Sequence, residues 1–329
     1  MTALRRTGLA ALLLAFAHIV FGAVVRISGS GMGCIDRWPR CADPRTGQEY
    51  WFPPLDYPIL VIEWTHRLVA GLLNLAIAAV VATAWRRRGR PGVSGPGGPL
   101  RAAVLSLAIV LSAAILGAVT VRTWNTPVAT VAHKLSAAAL LAALAATVVR
   151  AGGLGAAAPA ALTRKASRGA LGAAALAIVV VAMGGFTAKI PDAAVACAGF
   201  PLCGDGSLGG GAQHVQLTHR ILAYALVLHL VGLPFAFARR GEPSALRRLA
   251  AAGALLGVLQ VAWAAWMVLG GFPGVVRSLH QATGVAIWVV AFTMAYVARR
   301  ASVERGASSV EGVRSTLDAP RSTLPEFAR

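Results

Sequence analysis

The sequence predicts an all-α integral membrane protein: eight transmembrane helices forming two four-helix bundles, related as parallel repeats by a pseudo-two-fold axis. Three observations carry this expectation. Apolar residues make up 57% of the 329 positions and charged residues only 13%, whereas soluble domains carry about a quarter charged. The apolar residues fall in stretches of about twenty, the length that crosses a bilayer. Basic residues gather in alternate connections between these stretches. The net charge of +19 would suggest nucleic acid in a soluble chain, but in short inter-span loops it reads as membrane orientation. Composition thus excludes a soluble enzyme, a secreted disulfide scaffold and a disordered regulator, and no nucleic-acid partner is expected.

The expected spans are 9–26, 59–85, 101–121, 128–149, 168–187, 213–237, 246–270 and 275–298. The first follows Arg5-Arg6 and has the outline of a signal peptide. It is read as a span because the same pattern returns at the fifth. One side of the membrane receives Arg5, Arg6, Arg86, Arg87, Arg88, Arg90, Arg101, Arg150, Arg164, Lys165 and Arg168. It also receives Arg239, Arg240, Arg247, Arg248, Arg299 and Arg300, making 17 basic residues against seven on the other side. Those seven are Arg26, Arg37, Arg40, Arg45, Arg122, Lys189 and Arg277. By the positive-inside rule both termini are cytoplasmic, and the even number of spans is consistent with that. The Gly-, Pro- and Ala-rich linkers 86–100 and 150–168 offer no buried face and read as flexible connectors. The expected organisation is an N-terminal half over 1–150, a C-terminal half over 151–300 and a disordered cytoplasmic tail over 301–329.

All four cysteines fall in expected external loops, Cys34 with Cys41 and Cys197 with Cys203. A local disulfide in each loop is one reading, suited to that compartment. The other makes Cys34–Cys41 a reversible dithiol that passes electrons or holds a substrate.

Comparing the halves is the most informative step. Thr65-His66-Arg67-Leu68-Val69-Ala70 matches Thr218-His219-Arg220-Ile221-Leu222-Ala223. Pro127 before His133 matches Pro273 before His280, and Gly22 to Arg26 matches Gly185 to Lys189. His66 and His219 are 153 positions apart, and His133 and His280 are 147 apart. Four helices repeat as four helices, and an even unit gives parallel halves. All four histidines lie early in even-numbered spans, about 8–12 Å below the outer end at 1.5 Å per residue. Two histidines on neighbouring helices would then share one height in each half, as a bis-imidazole metalloporphyrin requires. Ionisable residues inside a membrane default to function, and bundle cores build cofactor sites from facing side chains. A single such histidine is as readily an interhelical hydrogen-bond donor. Four in matched register are harder to explain that way, and no carboxylate or thiolate accompanies each pair as zinc would require. His18, His214 and His229 break the register and read as structural, with His18 nearest the first-half pocket.

The repeat breaks at Glu63, one turn before His66, where the second half has Gln216. A carboxyl group in apolar surroundings beside a porphyrin edge could handle protons near neutral pH. The structural alternative pairs Glu63 with Arg67 or Arg26. Arg67 and Arg220 are candidate propionate contacts. Arg26, Arg122, Lys189 and Arg277 stand at the outer boundary, where propionates would point if the rings stand upright. Trp38, Trp51, Trp64 and Trp124 read as an interfacial belt.

The segment Glu63-Trp64-Thr65-His66-Arg67, the four helix histidines and the two external Cys pairs resemble the haem A synthase family. The first loop, Gly29-Ser30-Gly31-Met32-Gly33-Cys34 through Trp38-Pro39-Arg40-Cys41, looks like that family's first loop. The resemblance covers about residues 8–298. It implies oxidation of a ring methyl of haem O to the formyl group of haem A by successive hydroxylations, the gem-diol losing water. It implies that His66 and His133 bracket the haem O substrate, that His219 and His280 ligate the iron of a resident haem b, and that Glu63 is the catalytic acid. It further implies a structural Cys197–Cys203 disulfide and a first-loop role for Cys34 and Cys41. A haem O synthase is the expected haem donor, with an unidentified electron donor and surrounding membrane lipid; a homo-oligomer is left open. The main rival is a di-haem b-type membrane electron-transfer protein resembling quinone oxidoreductases, and the next is a haem-handling transporter.

Overall fold

The computed structural model describes residues 1–34, 40–154, 163–204 and 209–317. Eight α-helices follow in order: α1 Thr2–Ile27, α2 Pro58–Trp85, α3 Pro99–Arg122, α4 Pro127–Arg150, α5 Arg164–Thr187, α6 Gly211–Arg239, α7 Ser244–Leu269 and α8 Gly274–Leu317. Each is long and apolar enough to cross a membrane. Local signals set their ends. Pro58, Pro99 and Pro127 occupy the first turns of α2, α3 and α4, where a missing N–H costs nothing. The Thr163 hydroxyl accepts from the Ala166 N–H and caps α5. Arg122, Arg150 and Arg239 close their helices, where a cation meets the negative end of the dipole.

The helices form two closed rings. In the first, α1 packs on α2, α2 on α3, α3 on α4 and α4 on α1; in the second, α5 to α8 repeat that order. The rings join where α4 meets α5 and α8, and where α1 meets α8. Small residues permit the close approach: Ala166, Ala170, Ala173 and Ala177 lie on one face of α5 and are fully buried. Three polar contacts pin the seam at successive depths. Arg26 donates to Gln281 Oε1 at 3.2 Å, the Trp288 indole donates to the Ala138 carbonyl at 2.8 Å, and Arg150 Nε donates to the Tyr296 hydroxyl. One apolar core runs through both rings, from Leu4, Ile77 and Leu144 to Leu230, Phe237 and Met294.

Four features differ from what the sequence led one to expect. Helix α1 begins at Thr2, earlier than its apolar stretch, because hydrophobicity marks the lipid-facing part of a helix rather than its hydrogen bonding. The linker after α2 is an ordered turn: Val93 is buried, its carbonyl accepts from Leu100 N–H, and Arg150 donates to the carbonyl of Gly98 at 3.0 Å. The first loop carries a small antiparallel ribbon, β1 Cys41–Ala42 against β2 Glu49–Tyr50, too short for alternation to reveal. Helix α8 runs to Leu317, into the segment expected as a disordered tail; 318–329 lie outside the described residues. So do Trp38 and Pro39 of the first-loop motif, Arg37, and residues 155–162 of the second linker.

Candidate functional site

The duplication places the four histidines in one register. His66 lies eight residues after Pro58, and His219 eight after Gly211. His133 lies six after Pro127, and His280 six after Gly274. At 1.5 Å per residue these are depths of about 12 and 9 Å below the disulfide-loop end. The expected neighbouring helices are in fact opposite corners: α2 and α4 are not among the packed pairs of the first ring, nor α6 and α8 of the second. Alternate members of a four-helix ring sit diagonally, so each histidine pair spans the bundle interior. His66 and His133 lie within electrostatic range of each other, as do His219 and His280.

Glycine makes room for the imidazoles. A Cβ on Gly22 of α1 would stand 3.3 Å from His66 Cε1, and one on Gly117 of α3 would stand 3.3 Å from His133 Cε1. A Cβ on Gly184 of α5 would stand only 2.9 Å from His219 Cε1. The side chains differ in how they are tied. His133 Nδ1 contacts the Ala113 carbonyl at 3.0 Å, which fixes its ring and leaves Nε2 unspent. At the equivalent place in the second half, 147 positions on, the Gln260 amide contacts the His280 ring at 3.1 Å. Such an outer partner orients a ligating imidazole. The Nδ1 of His66 is buried without a partner, and that of His219 is buried outside hydrogen-bonding geometry with the Val180 backbone close by. Gly184→Ala is expected to push His219 out of position at a cost of about 1–3 kcal/mol. The thermal midpoint of the purified variant should fall accordingly, whereas a midpoint equal to wild type would contradict the close approach.

Glu63 is buried, but its surroundings are not apolar. Its Oε1 accepts from Arg67 at 2.6 Å and its Oε2 accepts from the Cys34 N–H at 2.9 Å. Arg67 also donates to the Cys34 carbonyl at 2.6 Å. The second half repeats the device with a neutral side chain: Gln216 Oε1 accepts from the Cys197 N–H at 2.6 Å, and Arg220 donates to the Cys197 carbonyl at 3.0 Å. Arg220 reaches the Gly199 and Leu202 carbonyls as well. Glu63 and Gln216 therefore anchor the two cysteine loops in the same way, and Arg67 and Arg220, expected near propionates, are directed at those loops. Both disulfides, Cys34–Cys41 and Cys197–Cys203, are formed and buried. The first packs on Leu60, Tyr50 and Trp64. Among the expected belt residues, Trp51 and Trp124 are exposed.

His214 and His229 are tied to the Gly210 and Gly169 carbonyls, as structural histidines. His18 is not: its ring stacks on His66 at 4.2 Å between centroids and its buried Nδ1 has no partner. Contact with the histidines pairs Gly22 with Gly184, one position before the Gly185 expected from the sequence match, and in that register Val180 takes the place of His18. Sequence reasoning also passed over Gln260, an ordinary polar residue until the fold sets it against His280. Lys134 was missed too, although a lysine inside a span is a signal in itself. Lys189, just beyond α5, is partly buried; loss of water and the nearby Arg26 charge pull its ammonium below the usual lysine range.

Fold and site together define an internally duplicated helical membrane protein with a cross-bundle histidine pair in each half. The chain belongs to the cytochrome oxidase assembly protein family COX15-CtaA, whose family model it matches over residues 5–292. It is similar to the haem A synthase of Geobacillus kaustophilus, with 42% identity over 71 residues, 22% of this chain and 20% of that one. Similarity to the haem A synthase of Geobacillus thermodenitrificans is 36% over 103 residues, 31% of this chain and 29% of that one. A protohaem IX farnesyltransferase of Thermus thermophilus is 28% identical over 315 residues, 89% of this chain and 47% of that one. The aligned stretches thus cover under a third of these synthases and about half of the Thermus protein.

An iron porphyrin suits the residues present. Each half offers two imidazoles across its interior, glycines leave space beside three of them, and the buried His66 Nδ1 has no protein partner.

Proposed function

We propose that this chain is a haem A synthase, an oxidoreductase that converts a ring methyl of haem O to a formyl group by successive hydroxylations, supplying haem A to cytochrome oxidase. The observation that carries it is the pair of histidine sites in one register but with unlike surroundings, joined to membership of the COX15-CtaA family. His66 and His133 hold haem O in the half comprising residues 1–150, and His219 and His280 hold the iron of a resident haem b in the half comprising 151–300. When bound, that haem supplies one-electron transfer.

The protein's own contribution is placement. Gly22 and Gly117 let the first-half imidazoles sit close to α1 and α3, Gly184 does the same for His219 beside α5, and Gln260 orients His280. The clamps tie the described parts of the two cysteine loops to α2 and α6 at the disulfide ends of the rings. Glu63 holds the first loop through the Cys34 N–H and, at the edge of the substrate pocket, receives and returns protons as the methyl carbon is oxidised. Inequivalent halves favour the synthase over a two-haem electron carrier, which would have no use for His18 stacked on only one ligand.

The positive-inside count supports a multi-pass place in the bacterial plasma membrane, with both termini cytoplasmic and the cysteine loops outside. Similarity to a protohaem IX farnesyltransferase supports a farnesylating haem O synthase as the donor.

The test is to extract haem from cells that make haem O but no haem A, with and without this chain, and to separate haems b, O and A by chromatography with mass detection. Haem A, or its hydroxylated precursor, is expected only with the chain. Accumulation of haem b alone in the purified protein, with haem O and a reductant present, would transfer the assignment to electron transfer.

A further inference from the structure

Where the two rings meet at the disulfide end, four cations gather with no acid among them. Arg26 lies in the last turn of α1, Lys134 follows His133 on α4, Lys189 follows α5, and Arg277 stands one turn before His280 on α8. All four are partly buried. Arg26 lies within electrostatic range of the other three, and Lys134 of Lys189. Arg26 crosses the seam to donate to Gln281 Oε1 at 3.2 Å, yet its buried Nε has no partner. The α5 backbone runs close to the lysine: a Cβ on Gly185 would meet Lys134 Cδ at 3.6 Å. Among the described residues, the ion pairs join Arg40 to Glu49 and Arg67 to Glu63, both away from this seam.

Folding alone gives no reason for such a cluster. Burying one charge costs free energy, and placing four like charges together adds repulsion unless an anion joins them. Neutral side chains would seal the seam at lower cost, as Gln281 does at the position matching Lys134.

We propose that the seam is a single oxyanion site shared by both halves, which receives the propionate carboxylates of the porphyrins held on either side of it. The inference rests on the haem-binding reading above and assigns the propionates to Arg26, Lys134, Lys189 and Arg277. Arg67 and Arg220 remain loop clamps. The charges match: each porphyrin bears two carboxylates, so two porphyrins bring four negative charges to four positive ones. Because the site is common, a cation belonging to one half tunes the haem of the other.

The phosphate of an anionic lipid offers the same chemistry, and the experiment separates the two sources. Full-length apoprotein in neutral detergent is titrated with haem b and with its dimethyl ester, which keeps the iron and ring but lacks both charges. The wild type is expected to bind the ester about tenfold more weakly or worse, the scale of lost charge-assisted hydrogen bonds. Lys134→Gln combined with Arg277→Gln should bring the two ligands to within about twofold, and Lys134→Arg should restore the preference. Lys134→Gln alone should lower the reduction potential of haem b in the opposite half, since a nearby cation favours the reduced, less positive haem. Equal binding of acid and ester by the wild type overturns the proposal and leaves the haem-binding reading intact; failure to bind either overturns both. If native mass spectrometry finds phosphatidylglycerol on the wild type but not on the variants, and ester preference is unchanged, the seam belongs to lipid and the proposal falls.

Discussion

His280→Ala is expected to empty the second half of the haem b proposed for it. His280 is one of only two imidazoles spanning that ring, and the Gln260 amide that orients it would be left beside a void. Loss of an outer partner alone typically costs ten- to a hundredfold in metal affinity, so loss of the ligand itself should cost more. The alkaline-pyridine haem assay on purified protein should fall below about a tenth of wild type, with the six-coordinate low-spin spectrum gone. The helices should survive, because the substitution removes a side chain near the ring centre and leaves the apolar core untouched. His219→Ala should behave alike. Unchanged haem content with an unchanged spectrum would refute the assignment of this pair.

Glu63→Gln carries the second large expectation, and the protein contains its own control. Gln216 already holds the Cys197 N–H with an amide oxygen at 2.6 Å, so a glutamine at 63 can hold Cys34 in the same way. Arg67 keeps its bond to the Cys34 carbonyl, as Arg220 does to that of Cys197. Fold, disulfide and haem content should therefore persist. The variant loses the charge that pairs with Arg67 and the group that can gain and release a proton, and haem A formation should drop by about a hundredfold or more, the usual scale of a lost general acid–base group. Haem O should accumulate in its place. Wild-type production of haem A by Glu63→Gln would leave Glu63 as a loop anchor only.

The two halves show why part of this site was legible and part was not. The Thr65-His66-Arg67 and Thr218-His219-Arg220 repeats set the histidines at equal depth, because rise along a helix is fixed per residue. Their being diagonal rather than adjacent depended on how four helices close into a ring, which no single helix encodes. The difference between Glu63 and Gln216 was visible, but its meaning was not. The asymmetry in sequence suggested distinct chemistry, and the structure adds a mechanical task common to both side chains, holding the backbone N–H of a loop cysteine. Gln260 escaped notice because only the packing of α7 on α8 sets it against His280, whereas the setting of Lys134 is made by α1 and the end of α5, remote along the chain.

By itself, the sequence determined the eight spans, their duplication, the depth of the four histidines and the grouping of the cysteines. These follow from apolar length, helical rise and residue spacing, all properties of a chain segment and its nearest neighbours. Tertiary structure decided which histidines face each other, that Glu63 and Arg67 clamp a loop, that His18 stacks on His66, and that four distant cations meet at one seam. Those depend on which helix faces are brought into contact, and packing between segments remote in sequence is set by the whole bundle at once.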